Sequence, residues 1–194
     1  MQFWYQTRLY NLDEGEDMHN NRDRHLNTPI DSQLDQLQHP QDAHDYYNRG
    51  LLRDRSGDRE GAFADYNSTI ELDPTHAKAY VNRGLIRDRW GDRQGALTDY
   101  NRAIELDNTN TNSYYNRGNV RYRLSDLQGA LSDYNLSLRI NSTYAKAYYN
   151  RGLVRADLSD RQGAKKDLRT AADLFREQDQ DWDYQNTLEK MHAM

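Results

Sequence analysis

Residues 77–110 read AKAYVNRGLIRDRWGDRQGALTDYNRAIELDNTN, and closely similar strings stand at the same phase before and after it. Asn48-Arg49-Gly50 returns as Asn82-Arg83-Gly84, Asn116-Arg117-Gly118 and Asn150-Arg151-Gly152, each 34 residues after the last. Tyr46, Tyr80, Tyr114 and Tyr148 lead these triplets. Gly61-Ala62, Gly95-Ala96, Gly129-Ala130 and Gly163-Ala164 follow them, then Tyr66, Tyr100, Tyr134 and, in the fourth copy, Leu168. A fixed period of this length without insertions is the signature of a repeat array, in which each unit stacks on its neighbours.

Within one unit the spacing predicts a helix over Ala77–Trp90 and a second, antiparallel one over Arg93–Leu106. Gly84 and Ala96 lack bulk where the two would cross, and Tyr80 and Tyr100 fill the remaining gap. The turn between them, Gly57-Asp58, Gly91-Asp92, Ser125-Asp126 or Ser159-Asp160, puts an Asp where it can cap the second helix. Eight of the eleven glycines fall at two repeat positions, assigned here to helix crossings.

These spacings resemble the tetratricopeptide repeat, with four copies over 43–76, 77–110, 111–144 and 145–178. The resemblance implies an all-α, right-handed superhelical solenoid of antiparallel helix pairs and a non-enzymatic scaffold or adaptor function. Arg49, Arg83, Arg117 and Arg151 stand where the family usually has Leu, and Arg53, Arg87, Arg121 and Arg155 where it usually has Tyr. Only the first copy has its closing proline, Pro74. The wording Tyr-Tyr-Asn-Arg-Gly with Asp-Tyr-Asn is similar to repeats common in cyanobacterial and chloroplast lineages. That likeness implies an assembly or stabilising role for a multi-subunit photosynthetic complex.

Solenoid ends expose an apolar face and need caps. Trp182 lies 34 residues after Tyr148, so residues 179–194 are expected to form a C-terminal capping helix with Leu188 and Met191 inward. Ile30, Leu34 and Leu37 predict a short helix at Asp31–Gln38, within a cap and linker over 30–42. Residues 1–29, acidic and carrying Phe3, Trp4 and Tyr5, are expected to be disordered or folded back.

Composition excludes several chemistries. With no Cys, disulfides and thiolate zinc sites are ruled out. No apolar run is long enough to span a membrane and no signal-peptide core precedes the repeats, which leads to the expectation of a cytoplasmic protein, at most peripheral to a membrane complex. The six His have no metal-ligand spacing, no phosphate-cradling glycine loop occurs, and no nucleophile, base and orienting group converge, so neither cofactor nor catalytic residue is expected. Three Asn-x-Ser/Thr sequons, at Asn67, Asn135 and Asn141, are read as chance.

Arg outnumbers Lys 21 to 5, although net charge is −5. Residues 1–42, 43–178 and 179–194 carry −5, +3 and −3 in turn. Helical periodicity places eight arginines on the packing side, where an unpartnered guanidinium would cost several kcal/mol. Each Arg of the Asn-Arg-Gly set is therefore expected to pair with Asp65, Asp99, Asp133 or Asp167, its stem on a Tyr ring. With these turned inward, little basic footprint remains, so nucleic-acid binding by an Arg-rich surface is only the alternative.

The other face of each first helix carries Asn48, Asn82, Asn116 and Asn150. A carboxamide both donates and accepts, so such a row suits the backbone of an extended ligand. It resembles the asparagine ladders of tetratricopeptide grooves. The expected peptide groove comprises Tyr47, Asn48, Leu51, Val81, Asn82, Leu85, Tyr115, Asn116, Asn119, Tyr122, Tyr149, Asn150 and Leu153, with Lys78, Lys146, Arg89 and Arg123 favouring an acidic protein or peptide partner. Chaperone-binding relatives carry a Lys where Tyr47 stands, so chaperone tails are not the expected ligand. A third possibility is homo-oligomerisation, with the acidic N-terminal segment lying in a groove.

Overall fold

The computed structural model describes residues 30–193, so the expectations for residues 1–29 lie outside the described part. Ten helices account for the ordered elements, with no strand among the described residues: α1 (Ile30–Gln36), α2 (Ala43–Ser56), α3 (Arg59–Leu72), α4 (Ala77–Arg89), α5 (Arg93–Leu106), α6 (Thr111–Arg123), α7 (Leu127–Ile140), α8 (Ala145–Asp157), α9 (Arg161–Glu177) and α10 (Asp181–His192). The chain divides into two compact units between Asn108 and Thr109. In the first, α2 pairs with α3 and α4 with α5, α3 packs on α4, and α1 lies against α2. In the second, α6 pairs with α7, α8 with α9, and α10 closes on α9.

Each hairpin is built by the same local devices. Asp58, Asp92, Asp126 and Asp160 accept the backbone N–H of Gly61, Gly95, Gly129 and Gly163 at 2.9 Å, capping the second helix. The residue before each Asp is left-handed, at φ 90° and 84° for Gly57 and Gly91 but 63° and 67° for Ser125 and Ser159. The serines bear a strain there that glycine avoids.

The two glycine positions have different causes. A Cβ on Gly50, Gly84 or Gly118 would stand 2.7–2.9 Å from a ring carbon of Tyr66, Tyr100 or Tyr134, all fully buried, so these are helix crossings. At Gly61, Gly129 and Gly163 a Cβ would instead run into the capping carboxylate and the stem of Arg53, Arg121 or Arg155, and at Gly95 into the Asp92 carboxylate. That corrects the assignment of all eight to crossings, because this second set clears room for the cap.

The arginines are internal. Arg49 donates through Nε and Nη2 to Asp65 at 2.9 and 2.6 Å, and Arg83, Arg117 and Arg151 grip Asp99, Asp133 and Asp167 in the same two-pronged way. The guanidinium carbons stand 5.2–5.6 Å over the rings of Tyr46, Tyr80, Tyr114 and Tyr148. Arg53, Arg87, Arg121 and Arg155 reach the same four carboxylates at 2.8–3.0 Å. One buried Asp thus holds two arginines across each hairpin.

A link between hairpins completes the scheme. Arg83 Nη1 donates to Asn67 Oδ1 at 2.8 Å, and Arg151 Nη1 to Asn135 Oδ1 at 2.7 Å. Arg49, with no helix pair before it among the described residues, donates to the carbonyls of Leu37 and Gln38 beyond α1. The same guanidinium therefore clamps its own helix pair and ties it to the element before. These bonds also show that Asn67 and Asn135, two of the three sequon asparagines, are structural.

Candidate functional site

The first helices α2, α4, α6 and α8 carry the residues expected to meet a ligand, and the two units treat them differently. In the unit of residues 30–108, Tyr47, Asn48, Leu51, Asn82 and Leu85 are half-buried, Lys78 is exposed and Val81 is buried. The Asn82 amide nitrogen approaches the Tyr47 hydroxyl at 3.4 Å, a weak contact, and also faces the Tyr66 hydroxyl, while its amide oxygen accepts no hydrogen bond among the described residues. Asn48 makes no side-chain hydrogen bond among the described residues. Tyr47 stacks at 4.4 Å on His76 and at 6.0 Å on Tyr66. Burial pushes both tyrosine hydroxyls above their ordinary pKa, so they remain neutral donors and acceptors. Arg89 is not available as a free cation, since Asp54 faces it at 3.6 Å.

In the unit of residues 109–193 the corresponding row is closed. Tyr115, Asn119, Tyr122, Tyr149, Asn150 and Leu153 are buried, against the expectation that they line an open face. The cause is a network. Asn119 Oδ1 accepts from the Tyr134 hydroxyl at 2.7 Å and from Asn150 Nδ2 at 2.9 Å, while the same Asn150 nitrogen also reaches the Tyr115 hydroxyl at 3.1 Å. Tyr122 donates to Asp157 at 2.6 Å, and the Tyr115 ring lies 4.9 Å from Tyr144. Tyr149 packs with Leu168 and Phe175, its hydroxyl pushed up to about 12 by burial. Asn116 is buried and makes no side-chain hydrogen bond among the described residues, while Arg123 and Lys146 are partly exposed. The polar groups here are mostly engaged with one another. Asn119, the one Asn among Leu51, Leu85 and Leu153 at its repeat position, was a visible signal for this network.

His76 bears on the open unit, because its ring accepts the Ala79 N–H at 3.2 Å and so caps α4. Burial lowers its pKa below the ordinary 6.5, outweighing the raising effect of Asp73. The unfolded chain therefore protonates first as pH falls. The cap's contribution is complete above about pH 6.5 and declines below it. Between pH 7.5 and 5, wild type should lose about 0.5–1 kcal/mol more stability than His76→Asn, whose carboxamide caps without titrating. Parallel urea titrations of the two proteins check this, and equal losses would contradict it.

Among the described residues no helix is long and apolar enough to cross a membrane, and no cluster of His, Cys, Asp or Glu is arranged to hold a metal.

Two family models match the chain. One described as "TPR repeat" matches residues 91–125 and 118–159, and one described as "Tetratricopeptide repeat" matches residues 46–76 and 145–178. No curated protein matches in sequence. Among solved structures, a crystal structure of MamA is similar at TM-score 0.70 and 21% identity, over 77% of this chain and 90% of that one. The first TPR of Spaghetti (RPAP3), bound to the HSP90 peptide SRMEEVD, is similar at TM-score 0.59 and 24% identity, over 62% and 96% of the two chains. YrrB, described as a TPR protein with an unusual peptide-binding site, aligns at TM-score 0.62 and 18% identity, over 84% and 91%. At these identities the structures speak for the fold alone. The matched repeats span more than half of the sequence, and with the helix pairs, capped turns and glycine crossings they establish that the chain belongs to the tetratricopeptide repeat family.

Proposed function

We propose that this chain is a non-enzymatic protein-interaction scaffold that holds an extended segment of a partner against the first helices of its repeats, principally Asn48 and Asn82 with Tyr47, Leu51, Leu85 and Lys78. The observation that carries this reading is the contrast in hydrogen bonding. Asn48 and the amide oxygen of Asn82 retain capacity on a half-open face, whereas Asn150 is committed internally. Peptide backbone is the chemistry such carboxamides match, and the leucines and Tyr47 supply an apolar floor. The eight internal arginines, already held by carboxylates, offer no phosphate contacts, which favours protein over nucleic acid. A passive scaffold of this kind suits assembly or stabilisation of a multi-subunit complex.

Peptides selected from a random display library on the wild-type protein should bind Asn48→Ala/Asn82→Ala about 30-fold more weakly, since each of the two lost hydrogen bonds is worth about 1 kcal/mol. Equal affinity for the double variant and wild type would sink the reading.

A further inference from the structure

The fourth helix pair differs from the earlier ones in a group of exposed positions on α9. Lys165 stands where the earlier repeats have Phe63, Leu97 and Leu131, Lys166 where they have Ala64, Thr98 and Ser132, and Arg169 where they have Asn67, Asn101 and Asn135. All three are exposed, and none is ion-paired within the described residues. This sets them apart from Arg151 and Arg155, which share Asp167 on the same helix. They do not simply coat the end of the array. Together with Met191 and His192 of α10 they line a cavity of about 440 Å³.

A polar end requires only that apolar positions become hydrophilic, and Ser, Thr or Gln would serve. Here all three become cations, converging on one concavity with a half-buried thioether among them. Lys165 and Arg169, four residues apart, are separated by about 6 Å along α9. Alternate residues of an extended chain are separated by about 6.6 Å on the same side. The two cations therefore match carboxylates at positions i and i+2 of an extended segment, with Arg169 able to take one of them in two-pronged fashion. Met191 provides an apolar contact for an aliphatic neighbour. The cavity volume lies within the range of small-ligand sites.

We propose that the cavity between α9 and the end of α10 is a second docking site, taking an acidic, extended segment of a partner protein with Asp or Glu at alternate positions and an aliphatic residue beside them. None of the residues assigned to the open row on α2 and α4 lines it, so the two sites are independent.

The test uses the full chain and a fluorescein-labelled peptide, Gly-Glu-Leu-Glu-Leu-Glu, followed by fluorescence anisotropy. The triple variant Lys165→Leu/Lys166→Ser/Arg169→Asn installs the residues that the preceding repeat carries at these places, and Lys166→Glu is a milder exposed change should the triple variant melt early. Wild type should bind the peptide with an affinity that falls as salt rises. The triple variant should bind about ten-fold more weakly, Lys166→Glu should be weakened in the same direction, and Asn48→Ala/Asn82→Ala should match wild type. Undiminished binding by both charge variants would overturn the proposal. So would loss of binding in the Asn variant alone, which would assign the peptide to the open row. Displacement of the peptide by millimolar inorganic phosphate but not by acetate would also overturn it, making the cavity an oxyanion site.

Discussion

Asp99→Ala is expected to lower the melting temperature by on the order of 10 °C, the consequence of losing about 3 kcal/mol. Asp99 is 1% exposed and accepts Arg83 Nε at 3.0 Å, Arg83 Nη2 at 2.6 Å and Arg87 Nη1 at 2.9 Å. Its removal leaves Arg83 on the packing side with no carboxylate and Arg87 with only the longer contact to Asp92 at 3.7 Å, which costs more than the direct bonds because both guanidinium groups were desolvated around Asp99. The arginines keep 15% and 24% side-chain exposure, so they can turn partly toward water, which sets the figure at the lower end of the range for broken buried pairs. Arg87→Met is the informative comparison. It leaves Asp99 gripped by Arg83 and should cost only about 1 kcal/mol. Because arrays of repeats unfold in pieces, amide hydrogen exchange of α4 and α5 should accompany the thermal scan. A melting temperature within about 2 °C of wild type would show that the shared carboxylate contributes nothing.

Gly118→Val should cost about 3 kcal/mol through overpacking. A Cβ there would meet Tyr134 Cε1 at 2.9 Å, Cδ1 at 3.1 Å and the Asp133 Cβ at 3.3 Å, and valine adds two further carbons. The ring cannot slide away, since its hydroxyl is bound to Asn119 on the same helix as Gly118 and Asp133 is held by Arg117 and Arg121. Gly152→Ala provides the contrast. Its Cβ would meet Leu168 Cγ at 3.1 Å and the Ala164 carbonyl oxygen at 3.3 Å, contacts that a shift of a few tenths of an ångström by a leucine with no polar anchor relieves, and alanine in a helix interior recovers about 1 kcal/mol over glycine. That variant should lie within about 1 kcal/mol of wild type. Urea unfolding checks both, and equal stabilities for the two would remove the distinction between a pinned ring and a yielding leucine.

The hairpins, their Asp caps and the arginine pairing could be read from residues because each rests on spacing that recurs. Arg83 and Asp99 keep the same separation in every copy, and a guanidinium on a packing face needs a partner wherever it sits. The openness of the Asn row was not legible, because it depends on what stands opposite in the adjacent repeat. Position 76 carries His and leaves Tyr47 half-exposed, while its equivalent, Tyr144, stacks on Tyr115 in the closed unit. Position 85 is Leu, but its equivalent Asn119 ties Tyr134 and Asn150 together. Arg89 and Tyr122 both find a carboxylate from a neighbouring repeat, Asp54 in one case and Asp157 in the other, so a charge that looked available for a ligand is already met. The bridging role of Asn67 and Asn135 lay in the recurring Asp-Tyr-Asn wording, but only the position of the next guanidinium shows what that Asn is for.

The link from one hairpin to the next is directional, its acceptor coming from the earlier repeat and its donor from the later. This makes internal repeats interchangeable and the final one unique. Tandem duplication of residues 77–110 would insert a copy whose Arg83 follows an Asn at the acceptor position, since Asn101 stands where Asn67 does. A second copy of residues 145–178 would find Arg169 where Asn67 and Asn135 stand in the existing links, so its Arg151 guanidinium would face a cation in place of a carboxamide oxygen. Duplication of an internal repeat would thus preserve the residue types of the link, whereas duplication of residues 145–178 would set two guanidinium groups against each other at Arg169.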